Sequence, residues 1–373
     1  MPPPLPNRAG FVVASLADAR TLLTSAVVSW DGRDALPYVP GNSAGAELVA
    51  RGVALRALWM WGSDRDRHAR VRKLAASALA PRAVAGLLEA SDALAKDLLA
   101  HVREQSATEL VGDFVSPFIR RPFLAFLGVR GAQAVALEGY LAAMAPFVPS
   151  IDATPNNPAP YFALAAAGQM IDTLWEAPLP READGARILI GAVNAGLLTR
   201  DEAISQAIML MFGNETSVQA LAGLIARLGE RPDLWQAVAS GTLGVEALVE
   251  EGIRLGPPTN MTLIRTTTAP VACAGTTLPT GTEIRMPLGE LNRDPCAFAD
   301  PDAFDPRRDE PGHIGFGWGP RLCVGAHLAR TTLAIAIRAL VTAYPACPPI
   351  RTIQGNLRTH EQGVVAIHVE SGR

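Results

Sequence analysis

The chain has 373 residues, 49% of them hydrophobic and 18% charged, which supplies a large core in one domain or two and leaves little scope for disorder. A formal net charge of −3, with lysine only at Lys73 and Lys96, gives no broad basic field and argues against nucleic acid as the main partner. Residues Met1 to Gly10 carry neither the apolar run of a secretory signal nor a span of about 20 apolar residues, so a soluble cytoplasmic protein is expected.

In chain order, Phe11 to Val13 reads as a short strand, and Ser15 as the N-cap of a helix reaching Leu23. Trp30 to Gly45 is rich in turn residues. From Asp64 to about Val193 the apolar spacing predicts successive amphipathic helices, interrupted near Pro81, at Gly128 to Gly131 and in a loop from Pro149 to Pro160. A second helical block runs from about Arg200 to Leu255. After Gly256-Pro257-Pro258 the pattern turns to strands at Met261 to Thr268, Val271 to Cys273 and Glu283 to Met286. A proline- and aspartate-rich meander covers Asn292 to Pro320, a helix follows from about Gly325 to Ala343, and weak strands end the chain. With no internal repeat and no flexible linker, the expectation is a single domain over residues 1–373, mainly α with a smaller β-rich part.

Four cysteines, Cys273, Cys296, Cys323 and Cys347, lack the short paired spacing of a zinc site, and a disulfide framework does not suit a long cytosolic chain. Three read as inert buried thiols. Cys323 differs because it stands in Phe316-Gly-Trp-Gly-Pro-Arg321-Leu-Cys323-Val-Gly325, directly before a predicted helix. The glycines allow a tight turn and close approach to a flat ligand, the helix start favours a thiolate, and Arg321 offers a planar cation for a carboxylate.

This Phe-Gly-x-Gly-x-Arg-x-Cys-x-Gly segment resembles the haem-binding signature of the cytochrome P-450 family. Three further motifs in the family's order support the resemblance. Glu251-Gly-Ile-Arg254 resembles its Glu-x-x-Arg pair, whose spacing puts both side chains on one helical face. Such a pair alone is commonly just solvated. The resemblance implies a structural clamp on the meander, with Asn292-Arg293-Asp294-Pro295 and Pro306-Arg307 as partners. In the apolar helix from Ala203 to Leu228, the polar group Gly213-Asn214-Glu215-Thr216 is hard to explain as plain core. By resemblance Glu215 and Thr216 sit over the haem and deliver protons to dioxygen, and Gly213 permits a local opening of the helix. His68 and Arg72 resemble the family's propionate-binding pair, with Arg265 and His313 at two further propionate positions.

The resemblance extends from about Phe11 to the C-terminus. It implies the P-450 fold, haem b (iron protoporphyrin IX) between a long distal helix and the Cys-loop helix, and Cys323 as the iron ligand. Phe316, Arg321 and Gly325 complete the cofactor-binding set. The implied activity is that of a monooxygenase inserting one oxygen atom into a small to medium apolar substrate, by hydroxylation or epoxidation in secondary metabolism. Electrons would come from a separate ferredoxin with its reductase, docking on Arg70, Lys73, Arg82 and Arg330.

Candidate pocket residues are Trp59, Met60, Trp61, Phe212, the stretch Thr259 to Ile264 with Met261 and Leu263, and the turn at Glu361-Gln362; the aromatic cluster could equally be core. Departures from the family are Phe212, where a small residue usually stands beside the iron, Thr332 in place of a usual Glu, and a start without the family's first helix and strand. The ring of Phe212 either crowds the site or turns into the core. Two alternatives stay open, a peroxide-using or rearranging haem-thiolate enzyme and a non-catalytic haem protein that binds a ligand.

Overall fold

Ser15 caps the first helix, its hydroxyl accepting from the Asp18 amide at 3.4 Å. The structure, a computed structural model, describes residues 10–29, 45–63, 65–105, 107–144, 157–257, 262–309, 312–348, 350–355 and 364–370. Strand β1 (Phe11–Val12), helix α1 (Leu16–Thr24) and strand β2 (Val28–Ser29) open it. Helices α2 (Ala46–Ala57), α3 (Arg65–Ala78) and α4 (Pro81–Glu104) follow, then β3 (Ala107–Glu109) and α5 (Ser116–Phe126). Next come α6 (Gly131–Ala143), α7 (Ala159–Leu174), α8 (Asp184–Asn194), α9 (Arg200–Gly229), α10 (Pro232–Ala239) and α11 (Val245–Leu255). The β-rich part holds β4 (Thr262–Thr267), β5 (Val271–Cys273), β6 (Thr276–Leu278) and β7 (Glu283–Pro287). The short α12 (Leu288–Leu291), α13 (Ala326–Ala343), β8 (Ile350–Gly355) and β9 (Val364–Glu370) complete the chain.

The strands form a four-stranded sheet in the order β1-β7-β4-β2, a three-stranded sheet β3-β9-β8, and a hairpin of β5 with β6. In the first sheet β1 runs parallel to β7, and Arg265 lies opposite Ile284. The sequence reading anticipated most of these elements. It missed α2 and β3, and the terminal strands it read as weak pair over most of their length. Helix α2 contains Gly52, which propensity alone counts against a helix. The glycine has a packing reason, since a Cβ there would run into the Tyr161 carbonyl of α7.

Helix α9 organises the core. Its first half, through Phe212, belongs to an apolar cluster with α2, α3 and α5 to α8, and its second half, from Val218, to a cluster with α4, α10, α11, α13 and β9. Between them, Gly213 to Thr216 are only half-buried. Among the described residues α9 alone is long and apolar enough to cross a membrane, and 67% of its most apolar stretch is buried inside the protein. A capping box begins it: the Thr199 hydroxyl accepts from the Glu202 amide at 3.1 Å, and Glu202 accepts from the Thr199 amide at 3.0 Å. Glu202 also accepts from Arg70 at 2.6 Å, which ties α3 to this end of α9.

Glu251 and Arg254 are buried and paired, with Arg254 Nε and Nη2 donating to the carboxylate at 2.7 and 2.8 Å. Arg254 also donates to the carbonyls of Asn292, Pro301 and Ala303. The third member is Arg308 and not Arg307: Arg308 Nε donates to Glu251 at 3.0 Å and its other nitrogens to the carbonyls of Ala299, Asp300 and Ala303. The carbonyls of the meander bend inward toward the two guanidiniums that Glu251 joins. Replacing Glu251 by Gln takes from the buried Arg254 the carboxylate it is paired with, and a loss of about 3–5 kcal/mol in urea-unfolding stability is expected. A variant as stable as wild type would show the cluster to be dispensable.

Candidate functional site

The loop ahead of α13 is built by two left-handed glycines. Gly317 and Gly319 have φ of 74° and 70°, which residues with a side chain rarely adopt. The turn is closed by Gly317 N–H donating to the Ile314 carbonyl at 2.7 Å, and by Cys323 N–H donating to Phe316 at 2.8 Å. Gly325 needs no special backbone, with φ −88°. A Cβ there would lie 3.9 Å from Cys323 Sγ, so glycine keeps the space beside the sulfur open. The Cys323 side chain opens onto a cavity yet lies deep among protein atoms, and this burial pushes its thiol pKa up; the Gly325 amide and the charges of Arg72 and Arg330 act in the opposite direction.

That cavity has a volume of about 290 Å³, room for on the order of twenty water molecules. It lies between α9, through Met209, Leu210, Gly213, Asn214, Thr216 and Ser217, and the Cys loop with the start of α13. Along its edge stand His68, Arg72, Arg265 and Arg321. Arg321 crosses from the Cys loop to donate to the Ser63 carbonyl at 2.8 Å and Trp61 at 3.4 Å. Arg265, from β4, donates to the Ile264 carbonyl at 2.7 Å. Burial and the charges of Arg321, Arg72 and Arg265 hold the His68 imidazole at about 4, well below its usual 6.5, so it is neutral at pH 7.

Not every residue singled out in the sequence reaches this cavity. Thr216 does, its hydroxyl donating to the Gly213 carbonyl at 2.7 Å. Glu215 does not: Arg120 of α5 donates Nε and Nη2 to its two oxygens at 2.8 and 2.6 Å, on another side of the helix. No opening appears at Gly213, since α9 is continuous; an added Cβ at Gly213 meets nothing within 4 Å. His313 also faces away, accepting from the Gly315 amide at 3.0 Å and lying 3.3 Å from Glu250, which Arg330 holds as well. His313 and Arg330 draw the Glu250 carboxyl down to about 2 despite its burial.

Phe212 packs into the core against Trp59 at 5.5 Å and Trp61 at 6.2 Å, and neither Phe212 nor Trp59 lines the cavity, whereas Met60 and Trp61 do. Met261, the residues 258–261 around it, the Leu263 side chain and the Glu361-Gln362 turn lie outside the described residues. Thr332 is buried and lines the cavity. Of the supposed docking cations, Lys73 and Arg82 are exposed, while Arg70 pairs with Glu202 and Arg330 with Glu250, stacking over Phe316 at 4.4 Å. Of the other cysteines only Cys273 is buried; Cys296 is exposed and Cys347 half-buried. Sequence reasoning overlooked Arg56, Arg120 and Arg308. The pair Arg120-Arg121 inside the apolar α5 was a signal, because a cation there needs a partner.

Comparison with known proteins points the same way. The family model described as cytochrome P-450 matches residues 244–365. Over 297 residues, 77% of this chain and 68% of its relative, the sequence is 31% identical to the cytochrome P-450 monooxygenase PikC of Streptomyces venezuelae. The chain belongs to the cytochrome P-450 family. The cyclomarin C epoxidase CymV of Salinispora arenicola is 28% identical over 309 residues, 81% of this P-450 and 76% of that one. A solved structure of P-450 BioI, in complex with an acyl carrier protein ligated to hexadec-9Z-enoic acid, matches the fold with a TM-score of 0.84 at 23% identity, covering 97% of this chain and 92% of that one.

As a P-450 it is a haem-thiolate monooxygenase that uses haem b. The residues present fit that group: a thiol opens onto an apolar slot, and three arginines stand with a neutral imidazole along its edge, donors of the kind that would hold two propionates. Because the folded protein holds His68 below its ordinary pKa, the haem-free protein takes up fewer protons than the unfolded chain between pH 6.5 and about 4. Its stability is therefore expected to fall as pH drops through that window. Urea midpoints across it should flatten in His68→Gln, and an unchanged slope would count against the charge cluster.

Proposed function

We propose that this P-450 hydroxylates or epoxidises a small to medium organic substrate of largely apolar body, in secondary metabolism in the cytoplasm, with electrons from a ferredoxin and its reductase. The observation that carries the reading is that Cys323, the arginine cluster and Thr216 face one cavity from different sides. In this reading Cys323 Sγ is the proximal iron ligand. His68, Arg72, Arg265 and Arg321 hold the propionates, and Phe316 and Gly325 flank the ring. When bound, the haem supplies oxygen activation, to which thiolate donation contributes by favouring O–O cleavage.

The remaining work falls to side chains. Thr216 Oγ1 holds its proton toward the Gly213 carbonyl and keeps lone pairs free to accept from water in the cavity, so it orients the water that delivers protons there. Glu215, paired with Arg120 behind α9, takes no part at the cavity and instead ties α9 to α5. Ser217 and Asn214 add polar groups beside Thr216, and Asn214 is steadied by donating to the Ile119 carbonyl at 3.0 Å. Met60, Trp61, Met209 and Leu210 exclude water from the substrate's apolar body. A ring beside the iron would have favoured the peroxide-using alternative, and Phe212 is turned into the core. For the electron donor, Lys73 and Arg82 are the exposed cations on offer.

The reduced carbon monoxide complex tests the central assignment: wild type should show the absorption band of thiolate ligation, and Cys323→Ser should fold and lose it. A wild-type protein without that band, or a variant that keeps it, sinks the reading. Thr216→Ala should lower product formed per electron consumed by roughly a hundredfold while oxygen uptake continues. Charge reversal at Lys73 and Arg82 together should slow reduction by ferredoxin at low salt and weaken its salt dependence; stopped-flow reduction rates that match wild type at every ionic strength would move the docking site elsewhere.

A further inference from the structure

Helices α11 and α13 are tied together by two ion pairs, Glu246 with Arg338 and, one helical turn later along α11, Glu250 with Arg330. Either would serve to attach the helices, but the second does more than attach. Arg330 donates Nε and Nη2 to the two oxygens of Glu250 at 2.5 and 2.9 Å, a fork that fixes the guanidinium in position and plane. There it lies over the Phe316 ring, 4.4 Å from its centre. Phe316 lines the cavity, and its carbonyl accepts from the Cys323 amide at 2.8 Å. Glu250 has a further contact, His313 Nε2 at 3.3 Å, and that imidazole is oriented by the Gly315 amide, which donates to Nδ1 at 3.0 Å. Gly315 lets the loop come this close to α11, since a Cβ there would meet Ile253 at 2.7 Å.

The charge of Arg330 acts at Cys323, as does that of Arg72. Arg72 lines the cavity edge assigned to the propionates, whereas Arg330 stands behind Phe316 on α13, the helix that the Cys loop leads into. Being half-buried, Arg330 is screened by solvent only in part. Glu250 is ionised across the neutral range, its carboxyl drawn down to about 2 by His313 and Arg330. The pair is therefore a fixed dipole whose positive end rests on the ring beside the sulfur. A centre that gains an electron becomes one unit more negative, a change that a nearby cation favours and a nearby anion opposes. Charges and outer partners around the ligand are among the levers by which a protein sets the potential of its metal.

We propose that Arg330, held by Glu250, is a positioning residue that acts through Phe316 and the Cys323 sulfur to raise the potential at which the haem iron is reduced. In the step concerned one electron leaves a reduced iron–sulfur donor, which is oxidised by one unit, and ferric haem becomes ferrous. Glu250 keeps the cation over the ring, and its own charge moderates the cation's field. The exposed pair of Glu246 and Arg338 joins the same two helices and serves as an internal control. The inference rests on the reading of Cys323 as the iron ligand.

Equilibrium redox titration tests this on the haem-loaded full-length protein without substrate, using dithionite and mediator dyes, after the reduced carbon monoxide spectrum has shown thiolate ligation. Arg330→Gln is expected to lower the ratio of ferrous to ferric protein at a given applied potential by about fivefold. Glu250→Gln keeps an oxygen to accept from Arg330 and loses the anion, so the ratio is expected to rise by about threefold. Arg338→Gln should match wild type within the error of the titration. Shifts of opposite sign are the mark of a charge pair, because a merely structural attachment would move both variants the same way or neither. No fall in Arg330→Gln, no rise in Glu250→Gln, or an equal shift in Arg338→Gln overturns the proposal. Should one of the first two variants not take up haem, the other, set against Arg338→Gln, decides alone. Absence of the thiolate band from the wild type overturns the assignment of Cys323 instead.

Discussion

Keeping charge inside an apolar protein is the constraint around which this structure is arranged. Burial alone would hold the Cys323 sulfur protonated, and what opposes it is local: the Gly325 amide, Arg72 and Arg330. Each of those needs its own support. Arg330 is paired with Glu250 and laid over Phe316, and the Gly325 amide is presented by a loop that only left-handed glycines at 317 and 319 can close. The fold around the sulfur is therefore a nested set of compensations, and the same logic repeats in the Glu251, Arg254 and Arg308 cluster behind it.

Helix α9 meets this constraint in another way. Its two ends satisfy separate apolar clusters, and the polar group Asn214, Glu215 and Thr216 stands in the half-buried stretch where those clusters part. Each polar side chain there has somewhere to go: Thr216 to the Gly213 carbonyl, Asn214 to Ile119, Glu215 to Arg120. An apolar helix of this length can carry such groups because its neighbours, chiefly α5, supply the missing partners.

Much of this was legible in the sequence because spacing and residue chemistry act locally. The Cys loop, the Glu251–Arg254 pair and the order of helices and strands follow from turn residues, three-residue spacing and apolar period. What the sequence hid was direction. On a helix, Gly213 shares its face with Thr216 and Ser217, and Glu215 falls roughly opposite, so resemblance drew Glu215 over the haem where helical geometry turns it toward α5. His313 was likewise assigned by position along the chain, while Glu250 and Arg330, distant in sequence, decide where it points. Arg308 was passed over for its neighbour Arg307, a difference of one residue that only the path of the meander resolves. Whether Phe212 met open space or indoles depended on the turn after α2, which carries Trp59 and Trp61.

The carboxylate of Glu202 belongs to two walls of the chamber at once, as cap of α9 and as acceptor for Arg70 on α3. Helix α3 also carries His68 and Arg72, so the spacing between the α9 wall of the cavity and its cationic edge is pinned at the Glu202 corner. A single outlying anion thus acts as the setscrew of the enclosure, and its loss would loosen the alignment of both walls without removing any group that faces the cavity.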